Sequence, residues 1–208
     1  MTTRTLAIDC ATEACSVALV ENGECIAGDY RVLGRGHAEQ LVPMIATLPD
    51  KGRADRVVVS LGPGSFTGVR VGLAAARALA LAWQAELSGY PALALVAAMA
   101  RAEHGAVPVG VAMTGGHGEW FVASYDAQAV ETRAVQSLSP AAAAETIGEA
   151  LVAGSQAEAL VAQRGSGTAL ALLPDARRIM ALPAHAFTNE VAPIYGRGPD
   201  ARLPGNAR

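Results

Sequence analysis

Residues 62–68 read Gly62-Pro63-Gly64-Ser65-Phe66-Thr67-Gly68, and they stand between the apolar run 56–61 and an Ala/Leu/Val-rich stretch, 69–83. That order predicts a buried strand, a tight loop and a helix opening directly out of it. Gly62 and Gly64 permit backbone angles that a β-carbon forbids, and Pro63 fixes one dihedral between them. Ser65 is placed as an N-cap, its hydroxyl accepting from the exposed amides of the first turn. Two uses of the loop fit. Gly62, Gly64, Ser65, Thr67 and Gly68 can cradle an anion at the helix N-terminus, or they can form a rigid turn, the commoner use of glycine. The chain has no Gly-x-x-x-x-Gly-Lys-Ser/Thr phosphate loop and no Gly-x-Gly-x-x-Gly at this place.

The flanking segments extend the pattern. Residues 5–9 read as a strand ending in the carboxylate of Asp9, and 15–20 and 24–30 as two strands joined at Asn22-Gly23, a strong hairpin signal. Apolar residues at Leu41, Val42, Met44, Ile45 and Leu48 mark a helix over 37–48, bent by Pro43. A strand at 86–90 and a helix at 93–104 close this first unit. A second unit opens alike, with strands at 107–113, 119–125 and 130–137 and a helix over 140–152 started by Pro140. Beyond it, 158–162 reads as a strand and 168–173 as part of a helix. The Pro/Gly-rich segment from 192 onward reads as extended and frayed at its end. The expected organisation is a first subdomain over 1–105, a degenerate copy over 106–191 and a tail over 192–208.

Composition narrows the function. Of 208 residues 51% are hydrophobic but only 4% aromatic, so the core is built from Ala, Val and Leu, which favours helices packed closely on a sheet. A net charge of −3 argues against a chain that grips nucleic acid by itself. Cys10, Cys15 and Cys25, an odd count without Cys-x-x-Cys spacing, fit a reducing cytoplasm. No basic leader with an apolar core is visible, and the apolar stretch 71–83 is too short for a bilayer, so a soluble cytoplasmic protein is expected.

The candidate chemical groups are sparse. Asp9 stands where a strand-end carboxylate can meet a metal–nucleotide, yet Glu13 in the following glycine-free loop would repel phosphates, and capping of a turn is the simpler role. His37 and Glu39 are two apart and do not share a helical face, and His104, His117 and His185 show no ligand spacing, so neither a metal nor a catalytic residue is expected. Thr114-Gly115-Gly116-His117-Gly118 reads as a hairpin loop. Gly68, Gly72 and Ala76 form a smooth ridge at four-residue spacing, able to pack on the chain's own sheet or on a helix of another subunit.

These residues also carry a resemblance. Leu6-Ala7-Ile8-Asp9-Cys10-Ala11-Thr12, Ser16-Val17-Ala18-Leu19, His37-Ala38-Glu39-Gln40-Leu41-Val42-Pro43-Met44-Ile45 and, above all, Gly62-Pro63-Gly64-Ser65-Phe66-Thr67-Gly68-Val69-Arg70-Val71-Gly72 resemble the TsaB (YeaZ) family. The match covers roughly the first hundred residues, with Pro193-x-Tyr195-x-Arg197 similar to the family's C-terminal pattern. It departs at Thr114-Gly115-Gly116-His117, where many members carry an Asp-Ala-Arg type segment. The resemblance implies the α/β actin and hexokinase-like (ASKHA) superfold, two tandem subdomains with mixed sheets, the second degenerate. It implies a scaffold subunit without catalytic residues, metal or cofactor. That subunit would be the partner of the catalytic subunit TsaD, together with the ATPase TsaE, in a complex that transfers a threonylcarbamoyl group to N6 of the adenosine beside the tRNA anticodon. Contact with tRNA would come through the complex. The partner surface is expected on the first-unit helices, at Leu41, Met44, Ile45, Gly68, Gly72 and Ala76, and the same face can self-associate when TsaD is absent. An ATP-dependent kinase or acyl-transferase of the superfold, built on Asp9 and residues 62–68, is the competing class, and a peptidase a further one.

Overall fold

The computed structural model describes residues 3–196. Two five-stranded mixed sheets form the frame, and they share one strand order. In the first, β1 (Arg4–Asp9) pairs antiparallel with β2 (Ala14–Glu21), which pairs antiparallel with β3 (Glu24–Val32). On its other side β1 runs parallel to β4 (Arg56–Ser60), and β4 parallel to β5 (Glu86–Tyr90). In the second, β6 (Val109–Thr114), β7 (Trp120–Tyr125) and β8 (Glu131–Leu138) form the antiparallel part. The short strands β9 (Leu151–Ala153) and β10 (Thr168–Leu170) add the parallel part. The Asn22-Gly23 turn has both residues at positive φ, as its hairpin requires.

Among the described residues five α-helices cover these sheets: α1 (His37–Ala46), α2 (Phe66–Trp83), α3 (Ala92–His104), α4 (Pro140–Thr146) and α5 (Ala157–Arg164). By length and composition α2 could cross a membrane, with mean hydropathy 1.2 over its 18 residues, longer than the apolar run read from sequence. In this fold it lies on β4 and β1, burying Val69, Leu73, Ala76 and Ala80. Residues 92–100 of α3 are buried all round, because the helix leaves the first sheet and packs against β6, β7 and β9. Its alanines keep it slim enough to fit. One core cluster therefore runs from Leu6 and Val57 through Leu95 to Val111 and Phe121, and a smaller one lies under α4 and α5.

The second half differs from its expected elements in three places. The helix from Pro140 stops at Thr146, because Ile147 turns extended and buries its side chain, and β9 follows. Residues 158–162 are helical, not a strand: Ala157 and Leu160 form a buried face one turn apart, and Gly165 ends the helix in the left-handed region. Residues 168–170 are a strand, not part of a helix. Gly165 and Gly167, both at positive φ, break the helical path before them. In the first half, α1 ends at Ala46, two residues early, and Leu48 is extended ahead of a 3-10 turn at Pro49–Gly52.

After β10 the chain returns to the first half. The 3-10 helix Ala176–Ala181 packs on β1, β2 and β3, Thr188 bridges to Gly89, and the Ile194 amide donates to the Leu61 carbonyl at 2.8 Å. Both halves also share one clasp. The loop after β4 donates the Ser65 amide to the Ala11 carbonyl at 2.6 Å, and the loop after β9 donates the Gln156 amide to the Ala112 carbonyl at 3.0 Å.

Candidate functional site

A cleft of about 850 Å³ lies where the halves meet. The first half contributes Ala11, Thr12 and Glu13 after β1 and residues 63–66, 69 and 70 around the start of α2. The second contributes the 113–117 turn, Phe121, Ser137 and Ser155. Residues 193–196 close one side. Val69, Met113, Phe121 and Ile194 make its walls apolar, while Thr12, Thr114, Ser137 and Ser155 bring hydroxyls to its lining. It is a shape that holds a small ligand through packing and a few hydrogen bonds.

The loop 62–68 is built against the backbone of residues 10 and 11. Gly62 sits at φ +84°. Gly64 does not need positive φ, as its place in the sequence suggests, but a close approach: a β-carbon there would overlap the Ala11 carbonyl. A β-carbon on Gly68 would overlap that of Cys10. Ser65 caps α2 as expected, accepting from the Gly68 amide at 3.2 Å. The faces of Gly64 and Gly68 meet carbonyl oxygens, and the amide and hydroxyl of Ser65 bond within the protein itself. Thr67 is exposed and does not line the cleft.

Asp9 is only 1% exposed and lies beneath the cleft floor. Its Oδ1 accepts from the Ala11 amide at 2.9 Å, and Tyr90 Oη lies 3.1 Å from Oδ2 and 3.2 Å from the Ile8 carbonyl. Burial pushes the Asp9 carboxyl up to about 6, against the opposing pull of the Ala11 amide and the Tyr90 hydroxyl. Tyr90, fully buried, is raised well above the usual phenol range by desolvation and then by the Asp9 charge. His37 Nε2 donates to the Thr12 carbonyl at 2.8 Å and lies 3.3 Å from that of Ala14, so it anchors the 11–14 loop from α1. The 114–118 segment is the expected hairpin turn, with His117 and Gly118 at positive φ, and it is tied to α5's entry through the Thr114 amide and Ser155 Oγ at 2.9 Å. Among the described residues no group of three His, Cys, Asp or Glu is arranged to hold a metal.

The expected partner-surface residues face inward. Leu41, Met44 and Ile45 are at most 4% exposed, and Gly68, Gly72 and Ala76 lie on the sheet side of α2. Gly72 stands over Cys10 and Val59, whose atoms are 3.6 Å from where its β-carbon would be. The stripes that look adhesive in sequence are thus the chain's own core. What these helices show outward is Val42, Phe66 and Leu81, 60%, 59% and 83% exposed.

One cluster at the cleft mouth escapes sequence reasoning. The Arg70 guanidinium lies 3.6 Å over the Phe66 ring and donates to Tyr195 Oη at 3.2 Å. Phe66 and Arg70 are one helical turn apart, a legible spacing, but Tyr195 arrives from 125 positions away. Arg197 of the C-terminal pattern lies outside the described residues.

Two sheets of one strand order around a shared cleft define a protein of the actin and hexokinase type, and an ethanolamine utilization protein EutJ from Carboxydothermus hydrogenoformans shares the fold at TM-score 0.51 and 11% identity, over 86% of this chain and 90% of that one. Residues 31–182 match the family model described as TsaD, tRNA N6-adenosine threonylcarbamoyltransferase, and YeaZ from Pseudomonas aeruginosa superposes at TM-score 0.78 with 29% identity, over 93% of this chain and 99% of that one. The chain belongs to the TsaB (YeaZ) family. The tRNA threonylcarbamoyladenosine biosynthesis protein TsaB of Escherichia coli (strain K12) is 37% identical over 127 residues, which is 59% of this chain and 54% of that protein. Its namesake in Bacillus subtilis (strain 168) is 33% identical over 101 residues, 46% of this chain and 44% of that protein. The matched segments thus span about half the length of these curated relatives.

Proposed function

We propose that this chain is a subunit of the bacterial apparatus that makes threonylcarbamoyladenosine in tRNA, and that it acts as a scaffold without performing the transfer. It binds a TsaD-type catalytic chain and works beside a TsaE-type ATPase in the cytoplasm, meeting tRNA through the assembled complex. The group transferred is threonylcarbamoyl, and the acceptor is N6 of the adenosine next to the anticodon. Family membership supports the pathway. The observation that carries the scaffold role is the placement of Asp9. The strand-end carboxylate that would serve a metal–nucleotide is turned into the core, held by the Ala11 amide and the Tyr90 hydroxyl.

The docking face is the outer side of α1 and α2. Val42 and Leu81 expose apolar surface there, and exposed apolar patches mark protein contacts. Co-purification tests the reading. The tagged chain is expected to retain the TsaD-type protein of its own genome, and the double variant Val42→Asp, Leu81→Asp to lose it while keeping its melting temperature. Retention by the double variant places the contact elsewhere, and threonylcarbamoyl transfer by the isolated chain overturns the scaffold role.

A further inference from the structure

The strongest unassigned chemistry lies under the cleft floor, in Cys10 and Cys15. Their sulfurs are 3.4 Å apart, and both residues are 1% exposed or less. The register explains the meeting. β1 and β2 pair Ile8 with Val17 and end on Asp9 opposite Ser16, and Cys10 and Cys15 flank that last pair, one just past the end of β1 and the other within β2. Gly72 of α2 provides the room, since a β-carbon there would already touch the Cys10 side chain.

From this juxtaposition we infer that Cys10 and Cys15 are a dithiol that a hydroperoxide converts to an intramolecular disulfide. The Cys15 thiolate attacks one peroxide oxygen, breaking the O–O bond and leaving a sulfenic acid and hydroxide, which takes up the proton the thiol gave. The Cys10 sulfur then displaces the sulfenic oxygen as water, its own proton departing with it. Two thiols and one hydrogen peroxide thus give one disulfide and two waters, with the peroxide reduced. The order of attack follows the hydrogen bond between the sulfurs, which lowers the Cys15 thiol, while the same bond and burial raise Cys10.

The ring so closed contains Ala11, Thr12, Glu13 and Ala14. The first three line the cleft, and the carbonyls of Ala11, Thr12 and Ala14 are held by Ser65 and His37. Oxidation therefore tightens a loop that is floor to the cleft and anchor to two helices.

The full chain carrying Cys25→Ser, which removes the exposed third thiol, is treated with hydrogen peroxide in its native state. It is expected to lose the mass of two hydrogens without gaining oxygen, to yield a peptide linking Cys10 to Cys15, to melt at a higher temperature, and to revert in dithiothreitol. Cys10→Ala exposed to peroxide and then unfolded into dimedone is expected to carry the sulfenic-acid adduct at Cys15. Two free thiols after exposure, a stable oxygen adduct on either sulfur, or a link between chains overturns the inference. If Cys10→Ala does not fold, the linked peptide from the Cys25→Ser chain decides alone.

Discussion

The carbonyl oxygen of Ala11 occupies the space that a β-carbon on Gly64 would need, and the same oxygen accepts from the Ser65 amide at 2.6 Å. Two loops distant in sequence are therefore pressed backbone to backbone. Gly64→Ala is expected to destabilise the chain by on the order of 3 kcal/mol, since neither backbone can withdraw without losing that hydrogen bond. Gly116→Ala, with nothing within 4 Å of its β-carbon, is expected to change stability by less than about 0.5 kcal/mol. Urea denaturation of both variants checks the contrast.

Asp9 makes stability depend on pH in an unusual direction. Its carboxyl, ordinarily near 3.8, is pushed up to about 6 in the folded chain. The folded state thus holds a proton that the unfolded state has released. The contribution is whole below the unfolded value and is lost as pH rises through about 6, up to about 3 kcal/mol in all. Protonated Asp9 can donate to Tyr90, whose hydroxyl then donates to Ile8. Asp9→Asn reproduces that pattern at every pH, so the difference in stability between wild type and variant is expected to shift in the variant's favour from pH 4 to pH 6. A constant difference over that range refutes the assignment.

Gly72 reports which way α2 faces. Its β-carbon position lies 3.6 Å from Cys10 Cβ and Val59 Cγ2, an ordinary contact distance. Gly72→Ala is expected to be tolerated and, by removing a mid-helix glycine, to stabilise by about 0.5–1 kcal/mol. Gly72→Leu has no room and is expected to lower the melting temperature sharply, along with any partner binding. An unchanged melting temperature for Gly72→Leu would turn the ridge outward again.

His37→Ala is expected to cost about 1–3 kcal/mol, because the buried carbonyl of Thr12 loses its donor. The loss falls on the 11–14 loop, so backbone amides there should exchange faster with solvent while those of β6 and β7 do not.

The first sheet was legible because each strand carries its own punctuation: Asp9 at one end, Asn22-Gly23 at a turn, Gly62 and Gly64 after β4. The second half is harder for a physical reason. α4, β9, α5 and β10 run three to eight residues, too short for a period of 2 or 3.6 to declare itself. The strands are settled by pairing, β9 with β6 and β10 with β9, and the end of α5 by Gly165 and Gly167. The ridge at Gly68, Gly72 and Ala76 was visible, but small residues suit a sheet beneath or a helix above equally well, and only the position of Cys10 decides. The cleft was half legible. The turn at 114–118 and the heptad are local signals, whereas Tyr195 and Ile194 reach the cleft by a return of the chain that no window of sequence contains.

The clasp repeated in both halves has a mechanical meaning. Each half pins the entry of one helix to its own leading strand, at Ser65 to Ala11 and at Gln156 to Ala112. Neither wall of the cleft can then slide over its own sheet without breaking a backbone hydrogen bond. Any change in the width between the walls has to be taken up at the crossings, where α3 passes from one sheet to the other and where residues 171–196 come back. The cleft is therefore the jaw of a vice whose play lies entirely in its two straps.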